Sequence, residues 1–185
     1  MKPVNRWFIL IVGMTGTGKS GLTERIIQHE RRVLIYDPNR EYEGTSTINV
    51  SSGGRFRVRT ENVDDACDLA FRAGRCLLVL DDAGDFLSHP LPEELEKVVR
   101  LGRHREVNLI ITGHRIVDLA PLARAQLDAI VSFRSHLPSD LNMLLQYGFD
   151  PEVVKNLKIP TEAPWIGEYQ VQSLSARGVE HVLSR

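Results

Sequence analysis

The sequence predicts a single-domain α/β fold in which a mostly parallel sheet is sandwiched between helices. Three observations carry that expectation. Strand-like and helix-like apolar patterns alternate along most of the chain, an order that lays helices over the faces of a parallel sheet. The glycine-rich run Gly13-Met14-Thr15-Gly16-Thr17-Gly18 joins the first strand-like segment to the first helical one. The segment Cys76-Leu77-Leu78-Val79-Leu80 is apolar at every position, the profile of a strand covered on both faces.

The elements follow in order. Residues 7–12 read as a buried strand, and residues 19–29 as a helix whose apolar positions include Leu22, Ile26 and Ile27. Residues 33–36 form a second short strand, closed by the turn-forming Asp37-Pro38-Asn39. A Gly-, Ser- and Thr-rich stretch over residues 44–54 leads into Arg55-Phe56-Arg57-Val58-Arg59, which alternates with period two. Asn62 or Asp64 can cap a helix running to about Ala73. After the apolar strand 76–80 and its terminal Asp81-Asp82, residues 93–101 are helical and amphipathic, with Pro92 near their start. Residues 108–112 form another buried strand that runs into Gly113-His114-Arg115, and residues 129–133 form the last strand. Ser139 can cap a helix over residues 140–147. The remainder, with Pro151, Pro160 and Pro164, reads as a short helix and an extended C-terminal segment.

The 185 residues suit one domain with a sizeable core, here residues 6–135, followed by an extension over 136–185. A hydrophobic content of 42% excludes a disordered chain, and two cysteines cannot build a disulfide framework. Cys67 and Cys76 fit a reducing, cytoplasmic compartment. The net charge of −1 sets up no global pull toward nucleic acid, so any DNA contact falls to local basic segments. The apolar run 7–12 is far short of the ~20 residues of a membrane span. Lys2 and Arg6 precede it, but it ends in glycine and then charge, as a strand does and a secretion signal does not.

Gly13 to Ser20 match G-x-x-x-x-G-K-[ST] in full, between a strand and a helix, and Gly21 follows. Glycines let the chain curl so that backbone N–H groups of Gly13, Met14, Thr15, Gly16, Thr17 and Gly18 can face phosphate oxygens at a helix N-terminus. In that chemistry Lys19 bridges the β- and γ-phosphates of ATP and the Ser20 hydroxyl ligates Mg²⁺. Asp81 is the candidate for a second contact on the magnesium side, and Asp82 for the group that orients or activates water. Two acids closing an apolar strand also serve as a plain strand terminator.

These segments, with Asp37-Pro38-Asn39-Arg40-Glu41-Tyr42 and the stretch from Gly102-Arg103-His104-Arg105 through His114-Arg115, resemble the FtsK/HerA superfamily of P-loop ATPases. More narrowly they resemble the genome-packaging ATPases of membrane-containing icosahedral viruses. The resemblance spans about residues 6–134. It implies a P-loop NTPase fold of the RecA-like (ASCE) class, with an extra strand between those carrying the phosphate loop and the magnesium carboxylate. It also implies Mg²⁺-dependent ATP hydrolysis that moves double-stranded DNA, a homo-oligomeric ring, and work in a host cytoplasm or at a virion vertex with capsid proteins as partners. Two positions depart from the family pattern: Asp82 stands where Glu is usual, and His114 stands for the polar sensor that is usually Gln. In ring-forming members an arginine of the adjacent subunit completes each site, which points here to Arg103 or Arg105, with Arg100 a further candidate. Each also reads as a solvated helix-end arginine.

Arg55, Arg57 and Arg59 share one face of a short strand and could meet phosphates without reading bases. Charge protecting an edge strand against aggregation also explains them. Three rivals stay open: a small-molecule kinase, a phage-assembly protein of the same class, and a nucleotide-regulated interaction protein with negligible turnover.

Overall fold

Strand β1 (Phe8–Val12) sends Phe8, Leu10 and Val12 to one face and Ile9 and Ile11 to the other, and all five are buried. A strand apolar on both sides rests only in the middle of a sheet covered twice. The computed structural model, which describes residues 6–42, 56–87, 90–175 and 179–184, has that arrangement. Beyond β1 the chain forms α1 (Lys19–His29), β2 (Arg32–Tyr36), β3 (Phe56–Thr60), α2 (Val63–Ala73), β4 (Cys76–Leu80) and α3 (Glu93–Leu101). Next come β5 (Val107–Gly113), α4 (Pro121–Arg124), β6 (Ala129–Ser132), α5 (Pro138–Gln146), α6 (Pro151–Asn156), β7 (Gln170–Ser173) and α7 (Glu180–Leu183).

The strands make one sheet in the order β3-β2-β4-β5-β1-β6-β7, parallel except for β7, which runs antiparallel to β6. β5 lies between β1 and β4, the interposed strand that the family resemblance implies. Its register pairs Gly113 with Val12 and Ile111 with Leu80. The C-terminal ends of β1, β4 and β5 therefore finish at one edge, and everything that follows them emerges side by side.

Two apolar layers hold the sheet. One face packs against Ala66, Cys67 and Ala70 of α2, Leu95, Val98 and Val99 of α3, and Leu141 and Leu144 of α5. The other packs against Leu22, Ile26 and Ile27 of α1 and Val182 and Leu183 of α7. Each fully buried Leu or Ile contributes roughly 1.5–3 kcal/mol, so these layers set the position of the strand ends. Cys67 and Cys76 are buried thiols within the first layer, pushed up by burial to about 12 and about 11.

Several expectations are refined. Asn62, not Asp64, caps α2, accepting from the Asp64 and Asp65 amides. α5 begins two residues earlier than a Ser139 cap predicts, because Pro138 takes its first position and Ser139 instead accepts a hydrogen bond from Arg115 at 2.9 Å. β3 is one of the two edge strands, and the two arginines within it are tied inward: Arg57 donates to the Ile27 carbonyl at 3.2 Å, and Arg59 faces buried Asp37 at 3.5 Å. Arg55 and the glycine- and serine-rich stretch 44–54 lie outside the described residues. The segment 136–185, expected as an extension, completes the sheet through β7 and seats α7 against α1. Among the described residues no helix is long and apolar enough to cross a membrane.

Candidate active site

The glycine loop is shaped by close approaches. Gly13 leaves β1 so near β6 that a Cβ on it would lie 2.6 Å from the Phe133 Cβ, and the Met14 amide donates to the Arg134 carbonyl at 3.0 Å. Gly16 and Gly18 have φ of 75° and 101°, backbone that L side chains rarely adopt. Thr17 Oγ1 closes the turn onto the Met14 carbonyl at 2.7 Å. Lys19 Nζ lies over the loop, donating to the Gly13 and Met14 carbonyls at 2.9 and 3.0 Å. Burial pulls the Lys19 ammonium below its ordinary pKa, against the opposing pull of Asp81, Asp82 and Glu41. α1 has no acidic residue in its first turn and no side-chain cap, so its N-terminal amides face the loop without a competing anion of its own.

Asp81 and Asp82 leave β4 in different ways. Asp81 is 2% exposed and accepts from Thr112 Oγ1 at 2.7 Å and from the Tyr42 hydroxyl at 3.0 Å. Burial raises its pKa to about 6, and the two hydrogen bonds work in the other direction. Asp82 adopts the left-handed region with φ 46°, which Asp tolerates better than most residues and which turns its side chain away from the strand line. Its amide donates to Thr112 Oγ1 at 2.9 Å. Its carboxylate receives Asn39 Nδ2 at 3.0 Å and faces His114 Nε2 at 3.1 Å. The structure thus brings Lys19, Ser20, Asp81, Asp82 and His114 together.

The turn after β2 supplies functional groups that the sequence did not assign to roles. Buried Asp37 accepts from the Glu41 and Tyr42 amides at 2.9 and 3.0 Å and so folds the Asp-Pro-x-x-Glu-Tyr element back onto the site. Tyr42 then meets Asp81, Asn39 meets Asp82, and Glu41 accepts a short hydrogen bond from Ser20 Oγ. The signal was in the motif itself, whose spacing places Asn39, Glu41 and Tyr42 on one turn.

Arg103 and Arg105 are not brought to this site. They occupy a 3-10 turn, Gly102–Arg105, before the start of β5, whereas His114 follows its end; the strand between them is about 20 Å long. Arg105 is fastened locally, donating to the Phe71 and Arg72 carbonyls at 3.0 and 2.9 Å. Arg103 is exposed.

A segment with no expected role completes the site. Residues 158–169 cross the loop and the first turn of α1, with the Gly167 amide donating to the Thr17 carbonyl at 3.1 Å. A Cβ on Gly18 would lie 2.6 Å from the Gly167 nitrogen and the Trp165 carbonyl oxygen, and one on Gly21 would lie 2.8 Å from that same oxygen. Only glycines admit this strap.

Between strap, loop and strand ends lies a cavity of about 690 Å³, bordered by Lys19, Ser20, Asp82 and His114 together with Pro160 and Trp165 of the strap. That volume is in the range of nucleotide-sized ligand sites. The donor set fits Mg²⁺: Ser20 Oγ, Asp81 and Glu41 offer only hard oxygens, and three carboxylates stand against a single ammonium.

This is the fold of a P-loop NTPase, with its glycine loop, lysine and strand-end acids in one cleft. No protein-family model matches the chain. The uncharacterized protein 015R of Frog virus 3 (isolate Goorha) is 22% identical over 141 residues, which cover 69% of this chain and 44% of that protein. The chain therefore spans less than half the length of that relative. Among solved structures, the genome packaging NTPase B204 from Sulfolobus turreted icosahedral virus 2, in complex with ATP-gammaS, is similar with a TM-score of 0.71 and 21% identity over 96% of both chains. The N-terminal domain of zonular occludens toxin from Neisseria meningitidis is similar at a TM-score of 0.53 and 11% identity, over 95% of this chain and 97% of that one. The resemblance read from the sequence is thus matched at the level of the fold.

Proposed function

We propose that this chain is a Mg²⁺-dependent ATPase that moves double-stranded DNA into a viral capsid as a homo-oligomeric ring. The observation that carries the reading is the convergence of Lys19, Ser20, Asp81, Asp82 and His114 on one nucleotide-sized cavity. It stands in a chain that shares a fold over 96% of its length with B204, described as a genome packaging NTPase.

In this reading the loop amides and Lys19 hold the β- and γ-phosphates, and Ser20 and Asp81 hold Mg²⁺. The bound ion supplies positive charge against the phosphate oxygens. Asp82, steadied by Asn39 and His114, takes the proton of the water whose oxygen attacks the γ-phosphorus, and ADP leaves. Asp82 is one methylene shorter than the usual Glu, and its left-handed backbone aims it into the cleft from its position after β4. His114 couples Asp82 to the end of β5, so a change at the γ-phosphate is felt in the strand. Arg103, free of the contacts that fasten Arg105, is the better candidate for an arginine reaching a neighbour's site. A head-to-tail ring gives every site the same neighbour. The working locations are a host cytoplasm and a capsid vertex, where vertex proteins are the partners.

The test is steady-state ATP hydrolysis with and without long double-stranded DNA, alongside sizing of the particle. Turnover stimulated by DNA in a ring is the expected result. A monomer that ignores DNA and passes phosphate to a metabolite would overturn it.

A further inference from the structure

Trp165 has features that an ordinary surface residue lacks. It is 59% exposed, it borders the cavity that also holds Lys19 and Ser20, and its backbone sits in the left-handed region at φ 55°. A bulky residue held there signals a conformation imposed by its surroundings. The surroundings are specific. Gly18, Gly21 and Gly167 each lack the Cβ that would push the strap away, and the Gly167 amide is bonded to Thr17. On the near side the strap is closed by Glu168, whose amide donates to the Lys158 carbonyl at 2.9 Å and whose carboxylate accepts from the Lys158 amide at 3.0 Å. On the far side Ile166 and Tyr169 pack into the core layer, with the Tyr169 ring 5.2 Å from that of Phe133. The indole is thus presented from a fastened support.

We infer that the strap 158–169 is the base-recognition element of the nucleotide site, with the Trp165 indole stacking on the purine base of the bound nucleoside triphosphate and Pro160 bordering it. This rests on the reading of the glycine loop as a triphosphate site. Lys19 and Ser20 take the phosphates, which leaves Pro160 and Trp165, the ring side chains that the strap adds to the cavity lining, to meet the base. A flat exposed indole with no polar partner along its face suits stacking, which recognises any base by its π-surface and purines most strongly. The strap would bind the base without reading its hydrogen-bonding edge.

The chain has two tryptophans, and the other, Trp7, is 5% exposed in the core layer beneath α1, so indole fluorescence separates them. Binding of ATP, CTP and inorganic tripolyphosphate with Mg²⁺ is measured on wild type, Trp165→Ala and Trp165→Phe. ATP should quench wild-type emission and tripolyphosphate should bind without quenching. Trp165→Ala should weaken ATP on the order of fivefold to a hundredfold, weaken CTP less, and leave tripolyphosphate unchanged. Trp165→Phe should retain most of the ATP affinity while losing the quench. The inference is overturned if Trp165→Ala binds ATP as wild type does, or if it weakens tripolyphosphate equally. If wild type binds neither ATP nor tripolyphosphate, the triphosphate reading of the loop falls and the inference falls with it.

Discussion

Replacing Gly21 by alanine sets helix propensity against the strap, and the structure decides the sign. Gly21 is the third residue of α1, and in an open helix Gly→Ala gains up to ~1 kcal/mol. Here the new Cβ would stand 2.8 Å from the Trp165 carbonyl oxygen, 3.1 Å from Ile166 Cγ1 and 3.2 Å from the Pro164 carbonyl oxygen. Two of those atoms are backbone, so no rotamer change relieves the contact. The strap cannot slide outward cheaply, because the Gly167 amide is bonded to Thr17. It cannot press inward either, because the Cβ position of Gly167 already lies 2.5 Å from the Thr17 carbonyl oxygen. Overpacking of this kind costs about 1–3 kcal/mol. Subtracting the propensity gain leaves Gly21→Ala less stable by up to ~2 kcal/mol, which in a chain of this size lowers Tm by a few degrees. Urea denaturation gives the free energy, and hydrogen exchange over residues 158–168 shows whether the strap lifts. A variant more stable by ~1 kcal/mol with an undisturbed strap would refute the reasoning.

Three further outcomes follow from the site. Asp81 has its folded pKa raised to about 6 by burial, so its contribution to stability is complete below the unfolded value near 3.8 and is lost as pH rises through about 6. Asp81→Asn should therefore be more stable than wild type at pH 8 by at most ~3 kcal/mol, less what the attraction to Lys19 returns, with the difference vanishing toward pH 4 in thermal melts; a less stable variant at pH 8 would contradict this. Glu41→Gln should raise the Mg²⁺ concentration for half-maximal ATP hydrolysis by about tenfold, whereas an unchanged Mg²⁺ titration would remove Glu41 from the metal side. Arg105→Ala should cost about 1 kcal/mol in urea denaturation by freeing the last carbonyls of α2, while Arg103→Ala should leave stability alone yet, mixed into wild type, depress hydrolysis out of proportion to its share; the reverse pattern would assign the trans-acting role to Arg105.

The loop, α1 and the apolar strand β4 were legible because each is a local pattern: glycines at fixed spacing, apolar positions on one helical face, five apolar residues closed by two acids. That a strand intervenes between β1 and β4 came from resemblance, since periodicity alone does not say so, and the rest of the strand order was not legible. What stayed hidden is what depends on approach between distant segments. Gly21 reads as a residue trailing the motif until the strap is seen crossing it. Residues 158–169, rich in proline and exposed apolar side chains, read as extended chain, and their role lies in where they pass. Arg57 and Arg59 alternate like a basic face, yet Ile27 and Asp37 take them inward, which no pattern within β3 could reveal.

The central claim is that the cleft at the ends of β1, β4 and β5 hydrolyses ATP through Lys19. The most direct test is the rate of phosphate release from ATP by wild type and by Lys19→Ala under identical conditions, with and without Mg²⁺. Steady wild-type turnover that requires Mg²⁺ and falls to background in the variant is the predicted result. Equal turnover in the two proteins, or none in wild type with Mg²⁺ and DNA supplied, would contradict the account.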